Sequence, residues 1–364
     1  MNKISSIKSR EERVNAAVDL FYDQIRFLTE NRAVDVIICV IPDDLFDSVT
    51  KNTSKNAEDN DQIEAYMEHN FRRMIKAKTM HLGVPLQLVI ENTIDEAKAS
   101  IGQQDDATKA WNFSTALYYK GNRTVPWRLV ENTYKPRSCY VGIGFYKSRD
   151  GETISTSLAQ VFDEFGHGVI LRGSPVALDK TDRRPYMSKE QAFELLSNAL
   201  SEYDKALMQM PARVVIHKSS QFRQCEIEGF NEALDSKSIR SRDYVSITES
   251  DIRLFGESNY PPKRGTLLQL SESEGLLYTR GFVDFYKTYP GMYIPSPLRI
   301  IAHENDSSLE ELCEEVLGLT KMNWNNTQLD GRLPITIECA KKVGEIMKYV
   351  DESEKPQVSY SFYM

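Results

Sequence analysis

The stretch Ser138–Tyr146 constrains the fold more than any other part of this 364-residue chain. It follows a polar, proline-bearing connector, and its residues are nearly all β-branched, aromatic or glycine. These features predict a buried strand that opens a new sheet. A second apolar strand, Arg213–Lys218, follows one predicted helix and leads into another. This succession is typical of a mixed α/β sheet with a parallel crossover.

The front of the chain predicts a separate α/β layer. Apolar positions at three- and four-residue spacing predict a helix over 9–30, and the apolar run Val34–Pro42 predicts a buried strand after it. The polar segment Asp47–Gln62 is expected to be a mobile surface loop. Further predicted elements of this part are a helix over Ile63–His81, a strand over Leu86–Ile90 and a helix over Asp106–Tyr119.

The rear half predicts an RNase-H-like opening. Strand-like runs over Thr153–Phe162 and Gly168–Arg172 follow the strand at Ser138, with a turn-prone stretch over Glu164–Gly168 between them, and a helix over Ser188–Met210 comes next. The remaining predictions are a helix over Phe222–Leu234, a strand over Tyr244–Thr248, turns at Glu274–Gly275 and Pro290–Gly291, helices over Ser308–Leu319 and Ile335–Val350, and a docked aromatic tail over Val358–Met364.

Composition excludes several classes of protein. Lys and Arg number 45 against 53 Asp and Glu, so the net charge of −8 argues against a general coating of DNA and requires any nucleic-acid contact to come from local basic clusters. The five cysteines are odd in number and far apart, which is typical of reduced thiols in a cytoplasmic protein. No apolar run of about 18 residues is present, so we expect no membrane partner.

Polar and basic residues of the front half fall at spacings that favour one shared face. Arg72 and Lys76 are four residues apart on a predicted helix, and Gln87 starts the next strand. Asn112 and Lys120 are eight residues apart on the following helix. Spacing alone favours an ordinary solvated face over a binding site.

The order of these residues resembles the MID domain of Argonaute proteins, whose pocket holds the 5′ phosphate of a guide strand. The order is Arg72, Lys76, Gly83–Gln87, Asn112 and Lys120, ahead of the strand at Ser138. The second half resembles the PIWI domain of the same family, which has an RNase-H-like fold. The segments that carry this second resemblance are Pro211–Lys218, Leu319–Asn326, Pro334–Val350 and the aromatic C-terminus.

The resemblance implies an α/β fold in which a Rossmann-like MID domain over 1–125 precedes an RNase-H-like PIWI domain over 138–364, with a linker over 126–137. The MID domain of the family usually begins well before the helix–strand unit at 9–42. We therefore expect that residues 1–125 lack an N-terminal piece, because the chain is a fragment, starts later or is completed by another chain.

The resemblance also implies roles for individual residues. Lys76, Gln87 and Lys120 match the phosphate-binding lysine, glutamine and lysine of the family, and Arg72 stands where the family often has a tyrosine that stacks on the first base. An arginine plane either stacks on a base or pairs with phosphate. Asn112 matches a position that holds the phosphate or a divalent cation. The C-terminal carboxylate of Met364 is an expected cation ligand, and Mg²⁺ is the expected ion.

The positions that match the nuclease site of the family depart from the active pattern. Active members present carboxylates that hold two metal ions for phosphodiester hydrolysis. This chain has Gly144 and Ser219 at the first two positions and the amide of Asn325 near the last. Because none of these side chains is charged, we expect two-metal cleavage to be lost. Asp150, Asp163 and Glu164 are alternative carboxylates that are better interpreted as solvated.

Two other features favour structural interpretations. Gly142 and Gly144 lack the third glycine and the strand-to-helix turn of a dinucleotide site, so close backbone packing is the better explanation. The five histidines show no metal-ligand spacing, and His217 is expected to be a hydrogen-bonded core residue in preference to a strand-end residue near a nucleic-acid channel.

Argonautes that consist of MID and PIWI domains form the short prokaryotic class, which is typically catalytically inactive. The implied function is defence: a short guide, RNA in preference to DNA, pairs with single-stranded target DNA, and pairing activates a partner effector that carries an Argonaute-associated PAZ-like domain. Two alternatives stay open. One is an active guide-directed nuclease with an atypical carboxylate set, and the other is a structural subunit that binds only protein.

Overall fold

The structure is a computed structural model that describes most of the chain in two compact units. Within 4–364, the residues outside the description are 5, 51–70, 96–103, 123, 131–136, 149–152, 164–167, 179–183, 256–259, 290, 292, 325–330, 352–353 and 355. The first unit holds the described residues up to Pro126 and those from Glu345 onward, and the second unit holds the described residues between Trp127 and Gly344. The predicted domain borders, 1–125 and 138–364 about a 126–137 linker, stay a prediction.

The first unit is a small α/β layer. Its elements are helices α1 (Arg10–Asn31), α2 (Asp43–Thr50), α3 (described over 71–79), α4 (Glu91–Ile94) and α5 (Asp106–Asn122), and strands β1 (Ile37–Ile41) and β2 (Leu86–Ile90). The two strands pair in parallel, from Ile37 opposite Leu86 to Ile41 opposite Ile90. Helix α3 ends in a short 3₁₀ turn at Gly83, whose φ of +73° favours glycine. The predicted helix–strand order is confirmed for the described residues.

Two predictions in this unit are wrong in part. Residues 47–50 belong to helix α2 and not to a loop, and 51–62 lie outside the described residues. Leu45 and Val49, four residues apart, are buried, so two apolar side chains on one face are enough for a helix in an otherwise polar segment. Strand β1 is half-buried because Ile38 and Val40 are 46% and 40% exposed.

The second unit is built on a nine-stranded mixed sheet. Its strands are β3 (Ser138–Lys147), β4 (Ile154–Asp163), β5 (Gly168–Val169), β6 (Arg172–Pro175), β9 (Arg213–Lys218), β10 (Ser241–Glu249), β11 (Leu267–Gln269), β12 (Glu274–Leu277) and β13 (Leu298–Asn305), and a separate hairpin joins β7 (Ala177–Leu178) to β8 (Pro185–Tyr186). The helices are α6 (Lys189–Leu207), α7 (Gln224–Ser236), α8 (Leu309–Leu319) and α9 (Ile335–Met347). The strand order is β11-β12-β13-β10-β9-β3-β4-β5, with β6 also on β4.

The opening of this sheet confirms the RNase-H-like prediction. Strand β3 pairs antiparallel with β4, which pairs antiparallel with β5 and β6. Helix α6 then crosses back so that β9 lies parallel to β3, and β10 lies parallel to β9 after α7. A capping box between Ser188 and Gln191 fixes the start of α6.

The predicted turn at Glu274–Gly275 is wrong, since both residues belong to β12. Gly275 packs closely against β11, since a Cβ on it would lie 2.9 Å from Cδ1 of Leu267 and 3.3 Å from the main-chain oxygen of Leu268. The predicted stretch over Glu164–Gly168 and the turn at Pro290 fall on residues outside the description, apart from Gly168, which starts β5.

The aromatic tail is docked, as predicted. Tyr360, Phe362, Tyr363 and Met364 are all buried, and Tyr363 donates a hydrogen bond from its hydroxyl to the carbonyl oxygen of Gln357 at 2.9 Å. Among the described residues, no helix has both the length and the apolar composition needed to span a bilayer.

Gly142 on β3 packs directly against the start of α9. A Cβ on this residue would lie 2.3 Å from the main-chain oxygen of Thr336, so the expected close backbone packing is confirmed. We predict that Gly142→Ala lowers the free energy of unfolding by about 1–3 kcal/mol, because backbone must shift to admit the methyl group. Urea denaturation followed by circular dichroism measures this loss.

Gly318→Ala is the matched control, because a Cβ there meets only the flexible end of Leu129 at 3.0 Å. Its effect is expected to stay within about 1 kcal/mol, since alanine favours the helix by a similar amount. Equal stability of the two variants would contradict the packing argument.

Candidate functional site

The ammonium group of Lys120 is the centre of a polar cluster in the first unit. The side chain is 1% exposed, and its Nζ donates to Oε1 of Gln87 at 2.6 Å, to the main-chain oxygen of Leu86 at 2.9 Å and to that of Met364 at 3.4 Å. Helix α5 supplies the lysine, β2 supplies Leu86 and Gln87, and the docked tail supplies Met364. The structure therefore brings three of the predicted site residues, Gln87, Lys120 and Met364, together.

The electrostatics of this cluster favour an anion. Burial and, to a smaller extent, the nearby charge of Arg72 together lower the pKa of Lys120 to about 7, against an opposing effect of Cys39. Burial raises the pKa of the Cys39 thiol to about 11, so this thiol is neutral near pH 7. The three oxygens that accept from Lys120 belong to an amide and to the main chain. An anion bound here would favour the charged lysine and offset the repulsion from Arg72.

A cavity of about 280 Å³ opens beside the cluster. Its polar lining includes three predicted residues, Arg72, Gln87 and Asn112. The other residues that line it are Ile41, Leu45, Phe46, Val49, Phe71, Leu88, Val89, Ile90, Thr93, Gln104, Lys109, Phe113 and Ala116. A mostly apolar cavity with a few polar groups at one side suits a flat, partly polar ligand.

Lys76 and Asn112 take different positions around this cavity. Lys76 lies one helical turn after Arg72 and is buried, and it is not part of the lining. Asn112 donates from Nδ2 to Oε1 of Gln104 at 3.1 Å. The two predicted metal ligands thus have different hydrogen-bond partners. Asn112 contacts Gln104, and the oxygen of Met364 accepts from Lys120.

Sequence reasoning missed several residues of the site. Lys109 lies three residues before Asn112 on the same helix, so helical spacing is a signal that would have found it. The phenylalanines of the lining, Phe46, Phe71 and Phe113, come from three helices and share no sequence pattern. The carbonyl of Leu86 carries no sequence signal, because every residue has one.

The rear unit places two of the expected nuclease positions side by side. The parallel pairing of β3 and β9 runs as far as Ile143 opposite Lys218, and the main-chain N–H of Ser219 donates to the oxygen of Ile143 at 3.4 Å. Gly144 and Ser219 are therefore neighbours where the pairing of β3 with β9 ends, although β3 itself continues to Lys147. Asn325, the third expected position, lies outside the described residues.

The alternative carboxylates are not described next to this strand end. Asp163 pairs with Cys139, five residues before Gly144 on β3, which places it roughly 16 Å away along the strand. Asp150 and Glu164 lie outside the described residues. In the part of the chain that is described, no group of three or more His, Cys, Asp or Glu residues is arranged to hold a metal ion.

Two neighbours of Ser219 have structural partners. Lys218, fully buried, pairs with the carboxylate of Glu226 at 2.6 Å, and that carboxylate also accepts from the main-chain N–H groups of Met187 and Arg223. His217 is buried with its Nδ1 2.9 Å from Oγ1 of Thr336, and burial and the charge of Arg213 lower its pKa to about 3. The prediction of a neutral, hydrogen-bonded core histidine is confirmed.

The buried Lys120 predicts an unusual pH dependence of stability. Its folded pKa of about 7 lies below the ordinary value of 10.5, so the unfolded chain binds more protons between these values. The free energy of unfolding should therefore rise with pH across this window, by an amount on the order of 4 kcal/mol from this group. Lys120→Met should remove this rise of the unfolding free energy with pH. Urea denaturation at three pH values within the window, about 7, 8 and 9, measures the slope.

Lys78→Met is the control, because Lys78 is an exposed residue of α3 that pairs with Asp19. This variant should keep the slope of the wild-type protein. A Lys120→Met variant with an unchanged slope would show that the buried lysine does not titrate in this range.

No protein-family model matches the chain, whereas comparisons with individual proteins find similar sequences and structures. In sequence, the chain is 21% identical over 298 residues to the protein argonaute of Aquifex aeolicus (strain VF5), which covers 80% of this chain and 38% of that protein. In structure, it matches Clostridium butyricum Argonaute bound to a guide DNA and a 19-mer target DNA with a TM-score of 0.70, at 19% identity over 95% of this chain and 42% of that chain.

It also matches Aa-Ago with externally bound siRNA with a TM-score of 0.62, at 16% identity over 99% of this chain and 49% of that chain. The chain spans less than half the length of each of these proteins. The likeness shows that the chain has the mixed α/β fold of the matching part of Argonaute structures.

Proposed function

We propose that the first unit binds the 5′-phosphorylated end of a short guide, with RNA preferred to DNA, and that the guide pairs with complementary single-stranded target DNA. The observation that carries the proposal is the buried Lys120 ammonium, whose two shortest hydrogen bonds go to the amide oxygens of Gln87 and Leu86, beside the charge of Arg72. A phosphate at this point supplies the negative charge that two neighbouring cations favour.

The cavity next to Lys120 supports the same ligand. Phosphate oxygens would accept from Lys120 and Arg72, and the amide of Gln87 has its Nε2 for a further hydrogen bond in exchange for its contact with the oxygen of Leu88 at 3.2 Å. The phenylalanines of the lining offer apolar faces on which the first base stacks. A terminal nucleotide thus meets both charged and aromatic side chains in this cavity.

The oxygen donors of the site suit Mg²⁺, which the family resemblance implies. The amide oxygen of Asn112 and the main-chain oxygen of Met364 are hard donors of the kind that this ion prefers. Bound Mg²⁺ would supply additional positive charge next to the guide phosphate. Lys120 already donates to Met364, so the chain itself holds the tail oxygen in place without the ion.

We infer further that pairing is not followed by cleavage in this chain. Gly144 and Ser219 lie side by side where the second unit would need carboxylates, and neither side chain carries a charge to hold a catalytic metal ion. By the family resemblance, the response to pairing then lies with a separate effector that has an Argonaute-associated PAZ-like domain, in the cytoplasm of a prokaryotic cell.

The pocket predicts a specific loss of guide binding. Arg72→Ala combined with Gln87→Ala should weaken binding of a 5′-phosphorylated RNA oligonucleotide at least about 100-fold, because each hydrogen bond to a charged group contributes about 1.5–3 kcal/mol. Filter binding with labelled RNA measures the change. A 5′-hydroxyl oligonucleotide should bind the wild-type protein and the variant equally weakly.

Lys78→Ala is the matched control on the same helix, since Lys78 is exposed and pairs with Asp19. It should bind the phosphorylated guide as the wild-type protein does. Equal wild-type affinity for the two oligonucleotides would overturn the assignment of the pocket.

The uncharged residues Gly144 and Ser219 predict that the paired target DNA is not cut. Protein loaded with a 5′-phosphorylated guide and mixed with matched single-stranded DNA should retain full-length target in the presence of Mg²⁺ or Mn²⁺, as seen on a denaturing gel. A product cut at one guide-defined position, abolished by a chelator, would instead support the nuclease with an atypical carboxylate set.

The nucleic-acid content of the purified protein distinguishes the guide-binding proposal from the alternative of a structural subunit that binds only protein. Deproteinised preparations should contain short 5′-phosphorylated oligonucleotides, and mass spectrometry of the tagged protein should identify the effector. Preparations free of oligonucleotide that still contain the partner protein would favour the structural subunit.

A further inference from the structure

The connection from β12 to β13 lies at the end of the large sheet at which β9 and β10 finish. The last residues of β12 and β10, Leu277 and Glu249, both pair with Leu298 at the start of β13. Strand β10 lies parallel to β9, and Ser219 directly follows β9. Three strand spacings, roughly 14 Å, separate β12 from β9. The described residues of 278–297 therefore lie at the same end of the sheet as Ser219.

A tight hairpin over 283–288 extends from this connection and presents two aromatic side chains to solvent. The N–H of Val283 donates to the oxygen of Thr288 at 3.0 Å, which closes the hairpin. Phe285 and Tyr286 at its tip are 87% and 62% exposed. Their ring centroids are 5.1 Å apart in an edge-to-face arrangement. Such a contact covers only one ring face, so the other faces are open to a further stacking partner.

The base of the hairpin is held by a neighbouring segment of the chain. The N–H of Phe282 donates to the oxygen of Pro262 at 2.9 Å. Gly281 packs so closely that a Cβ on it would lie 2.2 Å from the same oxygen. An exposed ion pair between Lys263 and Asp284, at 2.9 Å, joins the same two segments. Because the tip is held in place, a ligand that stacks on it loses little binding energy to ordering the hairpin.

The segment before this contact adds further aromatic and basic side chains. Phe255 and Tyr260 are 82% and 43% exposed, with ring centroids 5.6 Å apart. Arg253 and Lys287 are exposed, and neither forms an ion pair with a described carboxylate. Rings beside cations suit single-stranded nucleic acid, because bases stack on the rings while phosphates contact the cations. Exposed rings also suit a protein interface, but the unpaired cations and the position at this end of the sheet favour nucleic acid.

We propose that Phe285 and Tyr286 stack on unpaired bases of single-stranded nucleic acid, whose phosphates contact Arg253 and Lys287. The inference rests on the proposed function, in which this chain holds a guide and a target strand, and it adds a contact separate from the 5′-phosphate pocket. Bases inside a duplex already stack on their neighbours, so the hairpin binds the part of a strand that is not paired. Every base has an aromatic face, so the site accepts DNA or RNA of any sequence.

Binding of a labelled single-stranded DNA of about eight nucleotides with a 5′-hydroxyl end, followed by fluorescence anisotropy, tests the proposal. The missing phosphate removes the group that the first unit would select. The strand should bind the full chain with a dissociation constant below about 100 μM. An abasic strand of the same length keeps the phosphates but has no bases, and it should bind at least about fivefold more weakly. Absence of binding, or equal binding of the abasic strand, would overturn the proposal.

Two double variants distinguish ring stacking from a general apolar contact. Phe285→Leu combined with Tyr286→Leu keeps apolar side chains at the tip but removes the rings, so it should weaken the 5′-hydroxyl strand at least about fivefold. Phe285→Tyr combined with Tyr286→Phe keeps both rings and should bind as the wild-type protein does. Both side chains are exposed, so circular dichroism should show unchanged folding. Wild-type affinity in the leucine variant would refute the site.

The 5′-phosphate pocket provides the comparison that keeps this inference apart from the proposed function. Arg72→Ala combined with Gln87→Ala should remove the preference for a 5′ phosphate, and the effect of the leucine variant should persist in that background. A wild-type protein without phosphate preference, whose strand binding still depends on the rings, would contradict the pocket and support the hairpin. Phosphate preference together with binding that does not depend on the rings would overturn the hairpin alone.

Discussion

One buried ammonium group, that of Lys120, connects parts of the first unit that are far apart in sequence. Its acceptors lie 34, 33 and 244 residues away, on Leu86, Gln87 and Met364. Burying a charge is unfavourable unless hydrogen bonds or an opposite charge offset it, and here the two shortest hydrogen bonds go to amide oxygens, while the oxygen of Met364 lies farther away at 3.4 Å. The position of the lysine therefore fixes both the docking of the tail and the polar wall of the cavity.

Lys218 in the second unit meets the same physical problem in a different way. It is also fully buried, but its ammonium lies 2.6 Å from the carboxylate of Glu226, which in turn accepts two main-chain N–H groups. This charge is satisfied within the protein, so it ties β9 to α7. Lys120 has no carboxylate at such a short distance, since the oxygen of Met364 lies at 3.4 Å, and the charge of Arg72 is nearby, so Lys120 is better suited to bind an anion than Lys218.

The fold could be predicted where the local pattern and the tertiary environment agree. Strand β9 matches its predicted range because its β-branched centre Val214–Ile216 is buried, as are the polar residues at its two ends. Helix α2 was missed because only Leu45 and Val49 mark its buried face. The reversal before β12 was misplaced because Gly275 marks a close contact and not a turn. In both wrong predictions, the structure of the segment depends on contacts with another part of the chain, which the local pattern does not show.

The candidate site shows the same limit. The order of residues along the chain was enough to predict Arg72, Gln87 and Asn112 at one cavity and Lys120 beside it. The aromatic lining and the carbonyl of Leu86 were out of reach, because the side chains come from three helices and the carbonyl is common to all residues. Buried ion pairs such as that between Lys218 and Glu226 join a strand to a helix and follow no periodic spacing.

The contact between Lys120 and Met364 has a consequence for biosynthesis. A ribosome releases the front unit early, but this unit lacks one wall of its polar cluster until residue 364 has left the exit tunnel. The polar cluster around Lys120 is therefore complete only after synthesis has passed that residue.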